Sequence, residues 1–132
     1  MARRWVVGVL AVAGAMLSAG AGAAVDCRNA MTQADMNQCA ALDLERENAR
    51  INASYNAYRR TLAPEAQAQL KEVQLAWIRF RDLACRFESG SSAGGSVNSM
   101  AMGRCLQAKT RQRALEIEVL GKCEEGDVTC RR

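Results

Sequence analysis

The chain has 132 residues, 49% of them hydrophobic, with six cysteines, no histidine and a formal net charge of +4. That length holds one domain and one core, not several. The missing histidine excludes a Ser-His-Asp arrangement, and the near balance of charge leaves no basic footprint for nucleic acid.

Residues 1–24 read as a cleaved secretory signal. Arg3 and Arg4 form a basic start, residues 6–17 a short apolar run, and residues 18–24 a small-residue stretch with Ala-x-Ala cleavage after Ala23 or Ala24. The run is shorter than the ~20 apolar residues that span a bilayer. No cysteine directly follows the small residues, so no lipid anchor is expected, and the mature chain should make no stable membrane insertion. Cleavage leaves about 108 residues and lowers the net charge to +2, because Arg3 and Arg4 go with the signal. All six cysteines (Cys27, Cys39, Cys85, Cys105, Cys123 and Cys130) stay in the mature part. An even count in a small exported domain reads as disulfides. There is no Cys-x-x-Cys pair, so zinc, haem attachment and thioredoxin-like chemistry lack their spacing. Spacing alone does not fix the pairing. Neighbours are favoured: Cys27 with Cys39, Cys85 with Cys105, Cys123 with Cys130.

Three helices follow in chain order. Thr32 caps the first and Asp35 places a carboxylate near its positive end. Nothing breaks that helix before about Leu62, and Met36, Ala40, Leu44, Ile51, Tyr55, Tyr58 and Leu62 share one face. Glu47 lies in that stripe and Asn48 at its edge. Pro64 starts the second helix, expected over residues 64–88. On it Leu70, Val73, Trp77, Ile78, Phe80, Ala84 and Cys85 fall on one side, and Lys71, Glu72, Arg79, Asp82 and Arg86 on the other. Trp77 is the natural centre of the core. Gln74 and Arg81 sit inside the apolar stripe and need partners there, for which Glu47 and Asn48 are the candidates. Residues 89–96 form a Gly/Ser connection without periodicity. The third helix starts near Asn98 or Ser99, either able to cap it, and ends at Leu120 with Gly121 as a left-handed stop. Met102, Leu106, Thr110, Ile117 and Leu120 line one face, with Arg113 among them. No strand is expected.

These residues offer little reactive chemistry. The carboxylates Asp35, Asp43, Glu47, Asp82, Glu116 and Glu118 are spread along helices as solvated, paired groups. The Gly/Ser loop lacks the Lys-Ser/Thr of a P-loop. The constellation that stands out is the inward polar set. Arg81 and Arg113 project from apolar stripes, Glu47 is the best-placed acid, and a buried guanidinium must be paired. The set is read as a register-fixing network, or as a groove edge of Gln74, Trp77 and Arg81 presented to a partner.

The order Cys27, Thr32-Gln33-x-x-Met36-x-x-Cys39, then Ile51-Asn52-x-x-Tyr55, then Leu70-Lys71-x-x-Gln74-x-x-Trp77-Ile78-x-Phe80-Arg81-Asp82-x-x-Cys85, then Cys105-x-x-x-x-Thr110-x-x-Arg113 resembles the LprI-type lysozyme inhibitor family. Asn48 stands where that family usually has an aspartate, with Glu47 beside it. The tail cysteines Cys123 and Cys130 are extra to the family's pattern of four. The resemblance implies an exported, disulfide-bonded helical domain, a protein partner, namely lysozyme, and no cofactor. Its motif positions are Glu47, Asn52, Tyr55, Gln74, Trp77, Arg81, Asp82 and Arg113.

The expectations are therefore an all-α, small three-helix bundle stapled by disulfides, with a signal over 1–24, a helical LprI-like domain over 25–121 and a polar tail over 122–132 closed into a small disulfide loop. The expected function is that of a periplasmic or secreted binding protein, not an enzyme, that protects peptidoglycan by occluding lysozyme with Arg86, Arg104 or the 89–97 loop. The alternative is a periplasmic envelope interaction module without lysozyme activity.

Overall fold

The structure is a computed structural model that describes residues 24–124, 126–128 and 130–131. The expected signal segment, Ala24 apart, lies outside the described residues. Three helices, α1 (Gln33–Arg59), α2 (Pro64–Glu88) and α3 (Asn98–Leu120), are joined by a turn and by a loop holding one short 3-10 turn, Gly90–Ser92. The described residues contain no strand. Three disulfides join Cys27 to Cys39, Cys85 to Cys105 and Cys123 to Cys130. The chain is thus an all-α, disulfide-stapled three-helix fold.

The local sequence explains most helix ends. Thr32 is the N-cap of α1, its hydroxyl accepting the Asp35 backbone N–H at 3.1 Å, which satisfies one of the orphan donors of the first turn. The helix stops at Arg59, short of the expected Leu62. The Thr61 hydroxyl donates to the Tyr58 carbonyl at 2.7 Å, and Gln67 Nε2 donates to the Leu62 carbonyl at 2.9 Å. These bonds let the chain turn while Leu62 stays buried. Pro64 opens α2, where its missing N–H would have had no partner. Two expected ends of α3 are corrected. Its N-cap is Val97, with no side-chain cap; Asn98 is the first helical residue, and its side-chain amide lies 3.0 Å from the Ser92 hydroxyl instead. Gly121 caps the far end at φ −75°, right-handed rather than left-handed; its N–H bonds back to the Ile117 carbonyl, so the last turn simply continues.

Helix order in space follows from the side-chain contacts. Gln33 reaches Met100, Ala40 meets Gly103 and Ser54 meets Glu118, so α1 and α3 run parallel. Gln74 meets Arg113 and Cys85 is bonded to Cys105, so α2 runs antiparallel to α3. The α1–α3 interface is the larger one; α2 meets α3 more narrowly, and α1 and α2 hardly approach each other. The core is Ile51, Tyr58, Leu62, Ala66, Leu70, Ala114 and Ile117, with Tyr55 and Trp77 packed on its margin. Trp77 is therefore at the edge of the core. The most enclosed side chains are Ile117, Thr110 and Cys85.

The expected inner face of α2 is also corrected. Val73 is 53% exposed and Phe80 61%, and Ile78 is exposed as well. The buried strip is narrower, and Leu70, Gln74, Trp77, Arg81 and Cys85 carry it at three- and four-residue intervals. Two of those five side chains are polar, so apolar surface is displaced to the outside of the helix.

The α1–α3 seam depends on one small residue. A Cβ built on Gly103 would lie 3.2 Å from the Ala40 Cβ. A branched side chain there has to push the two helices apart. Gly103→Val is expected to lose about 1–3 kcal/mol of stability, read as a lower urea midpoint. An unchanged midpoint would contradict this close packing.

Candidate functional site

The inward polar residues of α2 and α3 gather along their seam. Arg81 Nε donates to Asp82 Oδ1 at 2.9 Å and its Nη2 lies 2.8 Å from the same oxygen. Arg81 Nη1 donates to the Thr110 hydroxyl at 3.2 Å, and the guanidinium stands 5.2 Å from the centroid of the Trp77 ring. One flat cation thus ties a buried hydroxyl, a half-exposed carboxylate and an aromatic face. A turn away, Arg113 Nε donates to Gln74 Oε1 at 3.3 Å and its Nη1 to Glu116 Oε2 at 3.0 Å. Gln74, Trp77, Arg81, Asp82 and Arg113 therefore form one polar band.

Glu47 does not join that band, which corrects its expected role as the acid for Arg81 or Arg113. Their acids are Asp82 and Glu116. Arg81 folds along its own helix to the adjacent residue, a pairing that helical spacing rules do not anticipate. Glu47 sits on α1 with its side chain 16% exposed, 4.0 Å from Arg50, and its Oε2 is buried without a hydrogen-bond partner. Asn48 does not reach Gln74 or Arg81 either. Asn52 is exposed, and Tyr55 packs beside the core.

A second cross-helix pairing was not legible beforehand. Arg50 clasps Glu118 with two bonds, 2.9 and 2.8 Å, and the Ser54 hydroxyl donates to the same carboxylate at 3.0 Å. The Arg50 bond, and after it the Ser54 bond, hold the Glu118 carboxyl below the usual glutamate range; the same bond raises Arg50. Asp26, bonded by the Asn29 amide and the Arg28 backbone N–H, is lowered too. These shifts keep charges on. They are opposite to what a general acid requires.

The far end of the α2–α3 pair carries the Gly/Ser loop, and it is held rather than loose. The Ser89 hydroxyl donates to the Cys85 carbonyl at 2.7 Å and the Ser92 hydroxyl to the Ser89 carbonyl at 2.7 Å. Asn37 Nδ2 on α1 donates to the Ser96 carbonyl at 3.0 Å. Gly94 takes φ +79°, a conformation that glycine adopts without strain. The disulfide Cys85–Cys105 closes the base, with Cys85 fully buried. Arg86 and Phe87 stand exposed at its foot. Arg104 lies elsewhere, in a pocket of about 230 Å³ lined also by Arg28, Asp43 and the Cys27–Cys39 pair.

Among the described residues no three His, Cys, Asp or Glu side chains come together as a metal site, and no helix is long and apolar enough to cross a membrane. Fold and site together define a rigid helical platform, disulfide-clamped, that presents a braced loop and an apolar helix face. The chain belongs to the lysozyme inhibitor LprI family, whose profile matches residues 26–117. An uncharacterized protein of Rhizobium meliloti (strain 1021) is 31% identical over 113 residues, covering 76% of this chain and 81% of that one. The crystal structure of a DUF1311 family protein from Pseudomonas putida KT2440 superposes with a TM-score of 0.64 at 18% identity, covering 73% of this chain and all of that one, and shows the same fold.

Two outcomes are expected of the networks. Arg81→Ala leaves the fully buried Thr110 hydroxyl without its partner and should cost about 1–3 kcal/mol, seen in denaturant melts; undiminished stability would mean that Arg81 serves a partner instead. Glu118 binds its proton more weakly folded than unfolded. Its stabilising contribution is present at neutral pH and is lost as the pH falls below about 4. Glu118→Gln should flatten that part of the acid limb in a series of melts, and an unchanged limb would show that the clasp carries no linkage.

Proposed function

We propose that the chain is an exported lysozyme inhibitor that works by binding, with the loop over residues 89–97 as the element that enters the enzyme's cleft. Membership of the LprI family is the observation that carries this reading. Export rests on the signal pattern of residues 1–24 and on the disulfides, which form in oxidising compartments. A lysozyme cleft carries a pair of catalytic carboxylates, so an occluding group has to offer hydrogen-bond donors without adding negative charge. The loop offers the exposed Ser91 and Ser96 hydroxyls and backbone N–H groups, and has no acidic residue. Its bracing by Ser89, Ser92 and Asn37 reduces the entropy lost when it is buried. Turnover has no place in this reading: the chain has no histidine, and its shifted carboxylates are held ionised.

The test is lysis of a cell-wall suspension by lysozyme with and without the purified, oxidised chain from residue 25 onward. A clear drop in rate near equimolar ratio is expected. Unchanged rates at large excess overturn the reading and leave the envelope interaction module in its place. Ala93→Trp puts a bulky group on the exposed loop, away from the core, and should weaken inhibition by about tenfold or more with the helical circular dichroism intact.

A further inference from the structure

The outer face of α2 has a pattern that neither the core nor the loop explains. Val73, Ala76, Phe80, Leu83 and Phe87 recur at alternating three- and four-residue intervals and line one stripe of the helix, the spacing of a coiled-coil seam. All five are exposed, Phe87 by 89%. Phe80 and Phe87 alone leave on the order of 300 Å² of aromatic surface in water. With Val73 and Leu83 added, the stripe is as large as the biggest apolar patches of ordinary monomers, ~300–600 Å². Lys109 stands 5.9 Å from the centroid of the Phe80 ring.

One edge of the stripe says what covers it. Glu65, Glu72, Arg79 and Arg86 follow one another at seven-residue intervals, acidic in the first half of α2 and basic in the second. All four are exposed. None makes an ion pair or side-chain hydrogen bond with another described residue. Two copies of α2 laid antiparallel about a two-fold axis between residues 72 and 79 set Glu65 against Arg86 and Glu72 against Arg79, and the symmetry repeats both pairs. A parallel arrangement sets like charges level with each other. In this register the two stripes overlap near the axis at Val73 and Ala76, and Phe80, Leu83 and Phe87 lie along residues 64–71 of the second copy, ending at its exposed Ala63–Pro64 corner.

We infer that α2 is the interface of a two-fold symmetric homodimer, held by this apolar seam and by the charge pairs along its edge. The interface is isologous, as closed dimers require. A stable contact covers ~800 Å² per partner, and the stripe with its charged edge has the apolar centre and polar rim of such a patch. Edge charges of this kind set orientation and partner choice in helix pairs. Residues 89–97 extend past the end of the opposing helix, so the dimer presents two loops at opposite ends. The inference goes beyond lysozyme inhibition and stands or falls separately from it.

The test is sedimentation velocity or light scattering on the oxidised chain from residue 25 onward, at tens of micromolar. A mass of two chains is expected. Phe80→Glu should give one chain with unchanged circular dichroism. Glu72→Arg places arginine opposite Arg79 at both ends of the axis and should raise the dissociation constant about tenfold. The double variant Glu72→Arg/Arg79→Glu exchanges the charges and should restore dimerisation. A single-chain mass for the unaltered protein overturns the inference, and then the face is left to a different protein. So does a double variant that associates no better than Glu72→Arg.

Discussion

The attachment of α2 to α3 is the constraint on which the rest of this structure depends. α1 and α3 pack closely through Ala40 and Gly103 and down to Ile117. α2 has no comparable seam. Its inward strip holds Gln74 and Arg81 where apolar side chains would normally sit, and it meets α1 hardly at all. Its first half is packed into the core by Ala66 and Leu70, and the rest is fixed by the buried Cys85–Cys105 bond, the Arg81–Thr110 contact and the Gln74–Arg113 contact. A disulfide closing a loop of this size stabilises by about 3 kcal/mol, a large share of the net stability of a domain with so modest a core.

This choice has a consequence at the surface. A helix rich in hydrophobic residues whose inner strip is partly polar has to place the surplus outside. Val73, Phe80, Leu83 and Phe87 are that surplus. The same fastening sets the loop end. With Cys85 and Cys105 joined, residues 89–97 leave and re-enter a fixed base, where Ser89 and Ser92 spend their hydroxyls on the Cys85 and Ser89 carbonyls and Ser91 and Ser96 stay exposed. An exposed apolar face and a fixed loop thus follow from the way the core is filled.

Much of the architecture was legible in the sequence because its signals are local. Pro64 marks the start of α2, the Gly/Ser run separates α2 from α3, and Thr32 with Asp35 opens α1. Each acts within a few residues. The face that α2 turns inward was not legible. Its apolar residues span so wide an arc that periodicity admits two stripes, and only packing against Thr110 and Cys105 selects the one with Arg81 on it. The partners of the buried charges were hidden for a related reason. Arg81 bonds its sequence neighbour Asp82, Arg50 bonds Glu118 from another helix, and Glu47 is left with a buried oxygen without a hydrogen bond, 4.0 Å from Arg50. Such choices depend on rotamers and on helix placement, neither of which the hydrophobic pattern encodes.

The fastening of α2 to the α1–α3 pair rests on the Cys85–Cys105 bond and the arginine contacts, beyond the share of the core that Ala66 and Leu70 hold. Native-state hydrogen exchange on the oxidised protein and on the Cys85→Ser/Cys105→Ser double variant tests it most directly. The amides of α2 are expected to lose protection in the variant while those of α1 and the second half of α3 keep most of theirs. An equal loss across all three helices, or α2 amides as protected as before, would contradict it.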